Sequence, residues 1–244
     1  ELSTTHYIDH AENACASGSS AVLQAIMALQ SGLAECALAI GYEKQHGSIE
    51  NPTAEQRQEH NVRVGKALGT CAHPTDRNPE EDMGFTFPYL FARVMKVAME
   101  QGATAEQLAT ISVKNFNAGG RNPTAHFYGK STTMEKAMGS PIFFKGYPLR
   151  YSDCCSVTDG CCGALLVTRE FVKAHGLSRP VMEILGFGQG VLYHPFGGRD
   201  VLRPASVEHA IEDALGRARL KREDIDFAQV HDCFTVAELV ITRL

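Results

Sequence analysis

The stretch Ala14-Cys-Ala-Ser-Gly-Ser-Ser20 decides how the first part of the chain folds. It is a turn of small residues, and residues 4–13 before it can form an extended segment. From Ser19 to Ser31 apolar residues recur at helical spacing, and Gly32 supplies a stop signal. Residues 37–42, Ala-Leu-Ala-Ile-Gly-Tyr, are typical of a strand buried on both faces. Strand, turn, helix and strand in this order predict a right-handed crossover unit of an α/β fold.

The region 44–150 differs in composition from what precedes it, because glutamine, asparagine, proline and charged residues become more frequent. We interpret it as a large insertion with short elements of its own, including helices near residues 89–101 and 105–117. Regular α/β patterns then resume. The later predictions are a buried strand at residues 164–168, strands at residues 181–187 and 225–230, and helices at residues 170–175, 206–218 and 237–244.

The composition is that of an ordinary soluble globular protein, with 44% hydrophobic and 21% charged residues in 244. A net charge of −5 gives no general electrostatic reason to expect nucleic-acid binding. No apolar run is long enough to span a bilayer, and the start of the chain has no signal-peptide pattern. We therefore expect the eight cysteines to be reduced thiols in a cytosol-like compartment.

Cys15 is the first candidate for chemistry. It lies at the start of a predicted helix, where unpaired N–H groups and the helix dipole favour an anion, and hence a thiolate nucleophile. Its small neighbours leave room for a substrate carbonyl to approach. From position alone, however, a buried and inert cysteine is the somewhat better interpretation.

His231 is the second candidate, because it follows a predicted strand at an edge where α/β sheets usually bind ligands. A neutral imidazole there can donate a hydrogen bond to a developing oxyanion. A histidine that caps or packs locally is the simpler alternative, and Asp232 can equally be a helix N-cap.

Two further patterns are discounted. The pairs Cys154-Cys155 and Cys161-Cys162 lack the spacing of zinc ligands, so we expect no metal site and interpret them as small side chains packed against a strand. The run Gly186-Phe-Gly-Gln-Gly190 resembles a phosphate loop only loosely and lacks its lysine.

Several segments resemble motifs of the thiolase superfamily, and in particular of its sterol-carrier-protein-type branch. His231-Asp-Cys-Phe234 is the most discriminating of them, because most thiolases have Asn-Glu-Ala-Phe at this place. Order and spacing agree along nearly the whole chain. The other matching segments are Asn13–Ala21, which looks like the nucleophile motif, Ala37–Lys44, Arg121–Ala125 and Asp153–Gly160.

The resemblance implies a thiolase fold, which is a five-layered αβαβα arrangement of two similar halves with a loop domain inserted in the first. The chain would lack the first strands and the end of the second half. In this division residues 1–43 and 151–178 belong to the first half, 44–150 form the loop domain, and 179–244 begin the second half.

The resemblance also implies roles for particular residues. Cys15 takes the acyl group as a thioester and its N–H serves one oxyanion hole, while His231 helps to polarise the thioester carbonyl of the second substrate. Cys155 and Ser156 lie beside the pantetheine arm of coenzyme A, which is a substrate, and no cofactor is bound permanently. The family's Gly-His-Pro base and Cys-x-Gly proton shuttle do not follow His231 here. We therefore expect these 244 residues alone to be inactive.

The expected reaction is thiolysis of a 3-ketoacyl-CoA or the reverse Claisen condensation. A thiolase-like carbon–carbon lyase or other acyltransferase, and a non-catalytic acyl-CoA-binding subunit, remain as alternatives. The resemblance further implies a homodimer or dimer of dimers through residues 4–13, with an additional small partner subunit as an option in this branch. The implied location is cytoplasmic, or peroxisomal in a eukaryote.

Overall fold

The computed structural model describes residues 7–44, 53, 55–56, 59, 87–178, 182–191 and 200–244. The chain divides into two units, of which the first comprises Glu1–Glu50 and Val157–Ile184 and the second comprises Asn51–Ser156 and Leu185–Leu244. The helices are α1 (Ser17–Gln30), α2 (Phe87–Glu100), α3 (Ala105–Arg121), α4 (Met134–Met138), α5 (Arg169–Ala174), α6 (Ala205–Ala218) and α7 (Thr235–Ile241), and the strands are β1 (Cys36–Glu43) and β2 (Gly160–Val167).

In the first unit, helix α1 packs on a two-stranded antiparallel sheet. Residues with small and aliphatic side chains line the contact, and the buried ones are Ala25 and Ile26 of α1 with Ala39 and Leu166 of the sheet. The β1–β2 pairing is continuous from Cys36 opposite Val167 to Glu43 opposite Gly160. Helix α1 thus covers the one face of the sheet that carries Ala39 and Leu166.

The opposite face of this sheet is exposed. Leu38 and Leu165 are cross-strand partners and remain 53% and 64% exposed, and Ile40 and Tyr42 extend the same apolar face. The strands predicted at residues 37–42 and 164–168 are therefore confirmed. The prediction that the first is buried on both faces is wrong, and so is the prediction that the second is a buried strand. Within the described residues α1 covers one face, and no second layer covers the other.

The predicted crossover unit is not formed by the described residues. Residues 7–13 have no strand, and residues 4–6 lie outside the described part of the chain. Strand β1 pairs antiparallel with β2, which comes more than a hundred residues later. The strand that β1 pairs with is therefore not the one that the predicted unit requires, which is the extended segment 4–13.

The second unit has a core made by α2, α3 and α7. Met95, Leu149 and Val236 are completely enclosed, and the ring of Phe234 stacks on Phe91 at 4.5 Å between centroids. Helix α7 is buried on nearly every side from Thr235 to Val240. It is therefore the central helix of this core, although the sequence predicts an amphipathic one.

Helix boundaries follow local signals in the sequence. Thr104 caps α3 by accepting a hydrogen bond from the Gln107 N–H, and the Gln107 side chain accepts the Thr104 N–H in return, which completes a capping box. Thr168 caps α5 by accepting a hydrogen bond from the Phe171 N–H, and Gly176 follows the helix with a positive φ of 56°. All six helices predicted from periodicity are confirmed, with ends displaced by a few residues. No helix in the described ranges is long and apolar enough to cross a membrane.

Two predicted strands are wrong. The strand predicted at residues 181–187 is absent, since residues 182–187 have neither helix nor strand structure and residue 181 lies outside the described part. The strand predicted at residues 225–230 is absent as well. An apolar run becomes a strand only when a neighbouring strand supplies hydrogen-bond partners, and the described residues provide none for these two runs.

Gly186, Gly188 and Gly190 lie directly against the backbone of helix α6. A Cβ at any of the three would overlap a carbonyl oxygen of that helix, the oxygens being those of Ala214, Ala210 and Ser206 in that order. Two residues of an extended segment advance about 6.6 Å and four helical residues about 6 Å, so the two repeats stay in step. We call Gly186, Gly188 and Gly190 the glycine stripe. The run that was discounted as a phosphate loop is therefore a segment whose glycines let helix α6 approach its backbone.

The glycine stripe gives a prediction for stability. Gly188→Ala should lower the free energy of unfolding of the intact protein by about 1–3 kcal/mol, because the added methyl group forces the helix away. Gly216→Ala is the matched control, since Gly216 lies in α6 itself and a Cβ there meets nothing within 4 Å. It should stabilise the protein by up to about 1 kcal/mol. Urea unfolding measures both, and equal effects of the two substitutions would contradict the packing.

Candidate functional site

Cys15 lies in a tight turn that leads into α1. A short 3-10 turn spans Ala14–Ala16, and α1 begins at Ser17. Ala14 has a positive φ of 46°, a left-handed conformation that costs a residue with a side chain about 1–2 kcal/mol. The Cys15 side chain is exposed within the described chain, unlike the buried cysteine of the alternative interpretation. The turn thus presents the thiol at the first turn of the helix.

Side chains on both sides of the turn hold this strained conformation. Ser17 Oγ accepts a hydrogen bond from the Asn13 N–H at 2.8 Å and donates one to the Ala14 carbonyl at 2.7 Å. The Glu12 carboxylate accepts the Ala14 N–H at 3.0 Å, and the Asn13 amide donates to Ser20 Oγ at 3.2 Å. The polar residues of the motif therefore fix the backbone around the thiol.

In the second unit, the segment 231–234 leads into α7. His231 and Asp232 are exposed, whereas Phe234 is buried in the core. Within the described part of the chain the His231 ring makes no hydrogen bond, so its nitrogens are open to a ligand. One end of the segment is therefore anchored, and the other presents the imidazole.

The segment 153–155 runs beside 231–234. Cys154 and Phe234 form an isolated antiparallel bridge, and the Cys155 N–H donates to the Cys233 carbonyl at 2.9 Å. Cys155 and Ser156 are exposed, as His231 is. Of the four residues that the sequence singles out, the structure thus brings the segments of Cys155, Ser156 and His231 together in the second unit, while Cys15 belongs to the first.

A buried carboxylate connects these two segments. Asp153 Oδ1 accepts a hydrogen bond from Thr235 Oγ1 at 2.8 Å, and Asp153 Oδ2 accepts the Arg150 N–H at 2.8 Å. Burial nevertheless raises the pKa of Asp153, and these two hydrogen bonds only partly oppose that effect. Burial, together with the negative charge of Asp153, raises the pKa of the Cys154 thiol to about 12. Cys154 is therefore a protonated thiol at neutral pH.

Sequence reasoning missed Asn115, whose side chain reaches both ends of the segment 232–238. Its amide nitrogen donates to Asp232 Oδ2 at 2.6 Å and to Glu238 Oε2 at 2.7 Å. No local pattern reveals this, because the two partners lie 117 and 123 residues away along the chain. Its position in the middle of a helix, where asparagine is a weak helix former, is the only signal in the sequence.

Metal binding receives no support from the described residues. None of their His, Cys, Asp and Glu side chains form a group of three suited to holding an ion. Cys161 and Cys162 follow each other along β2, and both are exposed. Adjacent residues of a strand point to opposite faces of the sheet, so the two thiols do not converge.

Comparison with known families agrees with the resemblance of the sequence motifs to thiolases. The family model "Thiolase, N-terminal domain" matches residues 1–135, and the chain belongs to this family. Its fold is that of part of a thiolase, as the sequence resemblance implies.

Particular relatives make the family assignment more specific. The chain is 32% identical over 227 residues to an acetyl-CoA acetyltransferase of Methanothermobacter thermautotrophicus, covering 92% of this chain and 54% of that protein. It is 30% identical to bovine sterol carrier protein 2, and the match covers 96% of this chain and 42% of that protein. It is 29% identical to the benzoylsuccinyl-CoA thiolase subunit BbsB of Thauera aromatica, covering 96% and 55%. The chain thus spans about half the length of the curated relatives it matches.

Solved structures show the same fold. The Ltp2-ChsH2(DUF35) aldolase matches with a TM-score of 0.74 at 23% identity, over 93% of this chain and 55% of that one. Human mitochondrial 3-ketoacyl-CoA thiolase matches with a TM-score of 0.61 at 18% identity, over 94% and 61%. At these identities the likeness concerns the fold.

Asp153 gives a prediction about pH. Its pKa in the folded state is raised above the ordinary 3.8, so the folded protein binds this proton more tightly than the unfolded chain does. The stability of the wild type relative to Asp153→Asn should therefore fall as pH rises from 3.8 through the raised folded value, and level off above it. Urea unfolding of the intact protein between about pH 3 and pH 7 measures this difference.

Asp226→Asn is the control for this experiment, because Asp226 is an exposed carboxylate of the same unit. Its stability difference from the wild type should stay nearly constant over the same pH range. A difference for Asp153→Asn that grows in the wild type's favour as pH rises would show that the carboxylate is stabilised, not penalised, by its surroundings.

Proposed function

We propose that the protein containing this chain transfers acyl groups between coenzyme A thioesters, with Cys15 as the nucleophile. The reaction is thiolysis of a 3-ketoacyl-CoA or the Claisen condensation of two acyl-CoAs. The observation that carries the proposal is the position of Cys15, which is exposed in a strained turn at the start of α1 within the family-matched region. Relatives named acetyl-CoA acetyltransferase support the substrate class.

In this proposal the reaction has two steps. The Cys15 thiolate attacks the thioester carbonyl of an acyl-CoA, a carbon–sulfur bond forms at Cys15, and coenzyme A leaves as its thiol after taking up a proton. In the condensation direction, a second acyl-CoA then loses a proton from its α-carbon. That carbon attacks the acyl-Cys15 carbonyl and so releases Cys15. Backbone N–H groups at the start of α1 suit the oxyanion of the first step.

We assign His231 to the second step. An imidazole N–H that donates to the thioester oxygen stabilises the negative charge that develops when the α-carbon loses its proton. The open ring of His231, on a segment anchored by Phe234, supports this role. Cys155 and Ser156, exposed on the adjacent segment, are proposed to lie along the pantetheine arm.

The base and the acid for these proton transfers are not assigned to described residues. In the family a Gly-His-Pro histidine activates the nucleophile and a Cys-x-Gly cysteine moves the proton, and neither motif follows His231 in this sequence. We propose that residues 1–244 alone are inactive, because a thiolate and an oxyanion donor without a base and an acid do not complete either step. Acyl-CoA is a substrate in this scheme, and no permanently bound cofactor is required.

The same family membership supports proposals about assembly. We propose a homodimer or dimer of dimers through residues 4–13 and, as an option, a small partner subunit. The relative from Thauera aromatica is itself named a subunit of a thiolase. The proposed location is cytoplasmic, or peroxisomal in a eukaryote.

Two alternatives are separated by experiment. A thiolase-like lyase or other acyltransferase is the first alternative, and a protein of the same fold, the Ltp2-ChsH2(DUF35) aldolase, is named a lyase-type enzyme. The lyase predicts carbon–carbon cleavage without an acyl-Cys15 intermediate, and the other acyltransferase predicts transfer of the acyl group to a different acceptor. A non-catalytic acyl-CoA-binding subunit predicts binding of acyl-CoA without turnover.

Alkylation tests the nucleophile. Iodoacetamide near neutral pH should modify Cys15 before Cys154, because Cys15 is exposed whereas the thiol of Cys154 has a pKa of about 12. Acyl-CoA should protect Cys15 and leave the exposed Cys36 of the same unit unprotected. Peptide mass spectrometry follows each cysteine of the intact protein. Protection of Cys36 to the same extent would point to general shielding instead of a thioester at Cys15.

Replacement of His231 separates the two steps. His231→Ala should slow the second step by about 10²–10³-fold, the typical loss when one oxyanion donor is removed, while acyl-CoA still acylates Cys15. Mass spectrometry of the acyl-enzyme measures the first step, and release of the condensation product measures the second. Equal losses in both steps would remove His231 from the assigned role.

A further inference from the structure

The amide of Asn115 joins helix α3 to both ends of the segment 232–238. Its nitrogen carries two hydrogens, and the two carboxylates of Asp232 and Glu238 take one each, at 2.6 and 2.7 Å. Its oxygen accepts a hydrogen bond from Lys114 Nζ at 2.6 Å. The amide therefore uses both its donors and its acceptor.

Charge fixes the orientation of this amide. Ionised carboxylates only accept hydrogen bonds and an ammonium group only donates them, so the nitrogen must face Asp232 and Glu238 and the oxygen must face Lys114. Lys114 Nζ also pairs with Glu238 Oε1 at 2.8 Å. Glu238 is only 8% exposed, and a buried carboxylate depends on such partners.

This contact complements the one made by residues 153–155. The bridge between Cys154 and Phe234 and the hydrogen bond between Asp153 and Thr235 hold one side of the segment. Asn115 holds the residue next to His231 from helix α3. Without Asn115, Asp232 has no other hydrogen bond to a described residue.

We propose that Asn115 is a positioning residue, which places the imidazole of His231 by holding Asp232 and Glu238 together. This inference rests on the proposed role of His231 in the second step. Asn115 itself touches no substrate in the proposal and acts through the backbone of residues 231–232. Its removal frees the Asp232 end of the segment and deprives buried Glu238 of a donor.

The predicted effect is confined to the step that uses His231. In the intact protein, Asn115→Ala should slow condensation by about 10²-fold, the loss expected when a reacting group is displaced by about 1 Å. Acylation of Cys15 by acyl-CoA should be unchanged. Asn115→Asp should act in the same direction, because it removes both donors and adds a third carboxylate.

Asn117 provides the matched control. It lies on the same helix, and its side chain makes two hydrogen bonds, with the backbone N–H and carbonyl of Thr132 at 2.9 and 3.1 Å. Asn117→Ala should lower stability to a similar extent and leave both steps unchanged. The exchanged pair Asn115→Asp with Asp232→Asn restores one amide–carboxylate hydrogen bond, so it should recover part of the condensation rate lost in Asn115→Asp.

A second readout is independent of catalysis. The ring resonances of His231, observed in protein labelled with ¹³C-histidine, should shift in Asn115→Ala and stay in place in Asn117→Ala. Unchanged His231 resonances in Asn115→Ala would overturn the inference, whatever the protein catalyses. Equal losses of acylation and condensation in Asn115→Ala would also overturn it, because they indicate a general structural defect.

The two proposals fail in different ways. If the wild type does not acylate Cys15, the proposed function is wrong, and the His231 resonances alone decide whether Asn115 places the ring. If the wild type carries out both steps and Asn115→Ala does so at the same rate, the function stands and the positioning role is wrong.

Discussion

The hydrogen bond between Thr235 and the buried carboxylate of Asp153 is the interaction on which the site in the second unit depends. It joins residues 82 positions apart, and it does so at the first residue of α7. A carboxylate in this place opposes folding through its desolvation, as its raised pKa shows. Loss of the Thr235 hydroxyl would leave it short of a partner, at a cost of about 1–3 kcal/mol. A polar contact inside an apolar core therefore fixes how segment 153–155 lies against segment 231–234.

A second buried carboxylate, Glu238, lies one turn further along α7. It is compensated by Lys114 and the Asn115 amide on a different helix. Apolar residues in place of Asp153 and Glu238 would fill the core at less electrostatic cost. They would not, however, specify the direction in which the segment before α7 leaves the core. The two buried carboxylates thus hold the segment that carries the exposed His231 in a defined geometry, at some cost in stability.

The sequence predicts well those features that local physics determines. Helices follow from apolar spacing and from caps such as Thr104, and β1 and β2 follow from short apolar runs. The strands proposed at 181–187 and 225–230 fail because a ladder needs a partner, which is not a local property. Asn115 is missed for the same reason, because its partners lie more than a hundred residues away along the chain. Cys15 and His231 are proposed on the strength of family motifs, since their positions alone favour ordinary structural roles.

The glycine stripe has a consequence for the evolution of this chain. At Gly186, Gly188 and Gly190 any side chain meets the backbone of α6, and backbone cannot move aside as a neighbouring side chain can. In a packed core, a larger side chain at one position is usually accommodated by a smaller one at a neighbouring position. A second substitution of this kind cannot make room at these three positions. Phe187, which lies under the Arg217 guanidinium at 4.8 Å, has no such restriction. Homologues should thus vary at the residues between the glycines while the glycines persist.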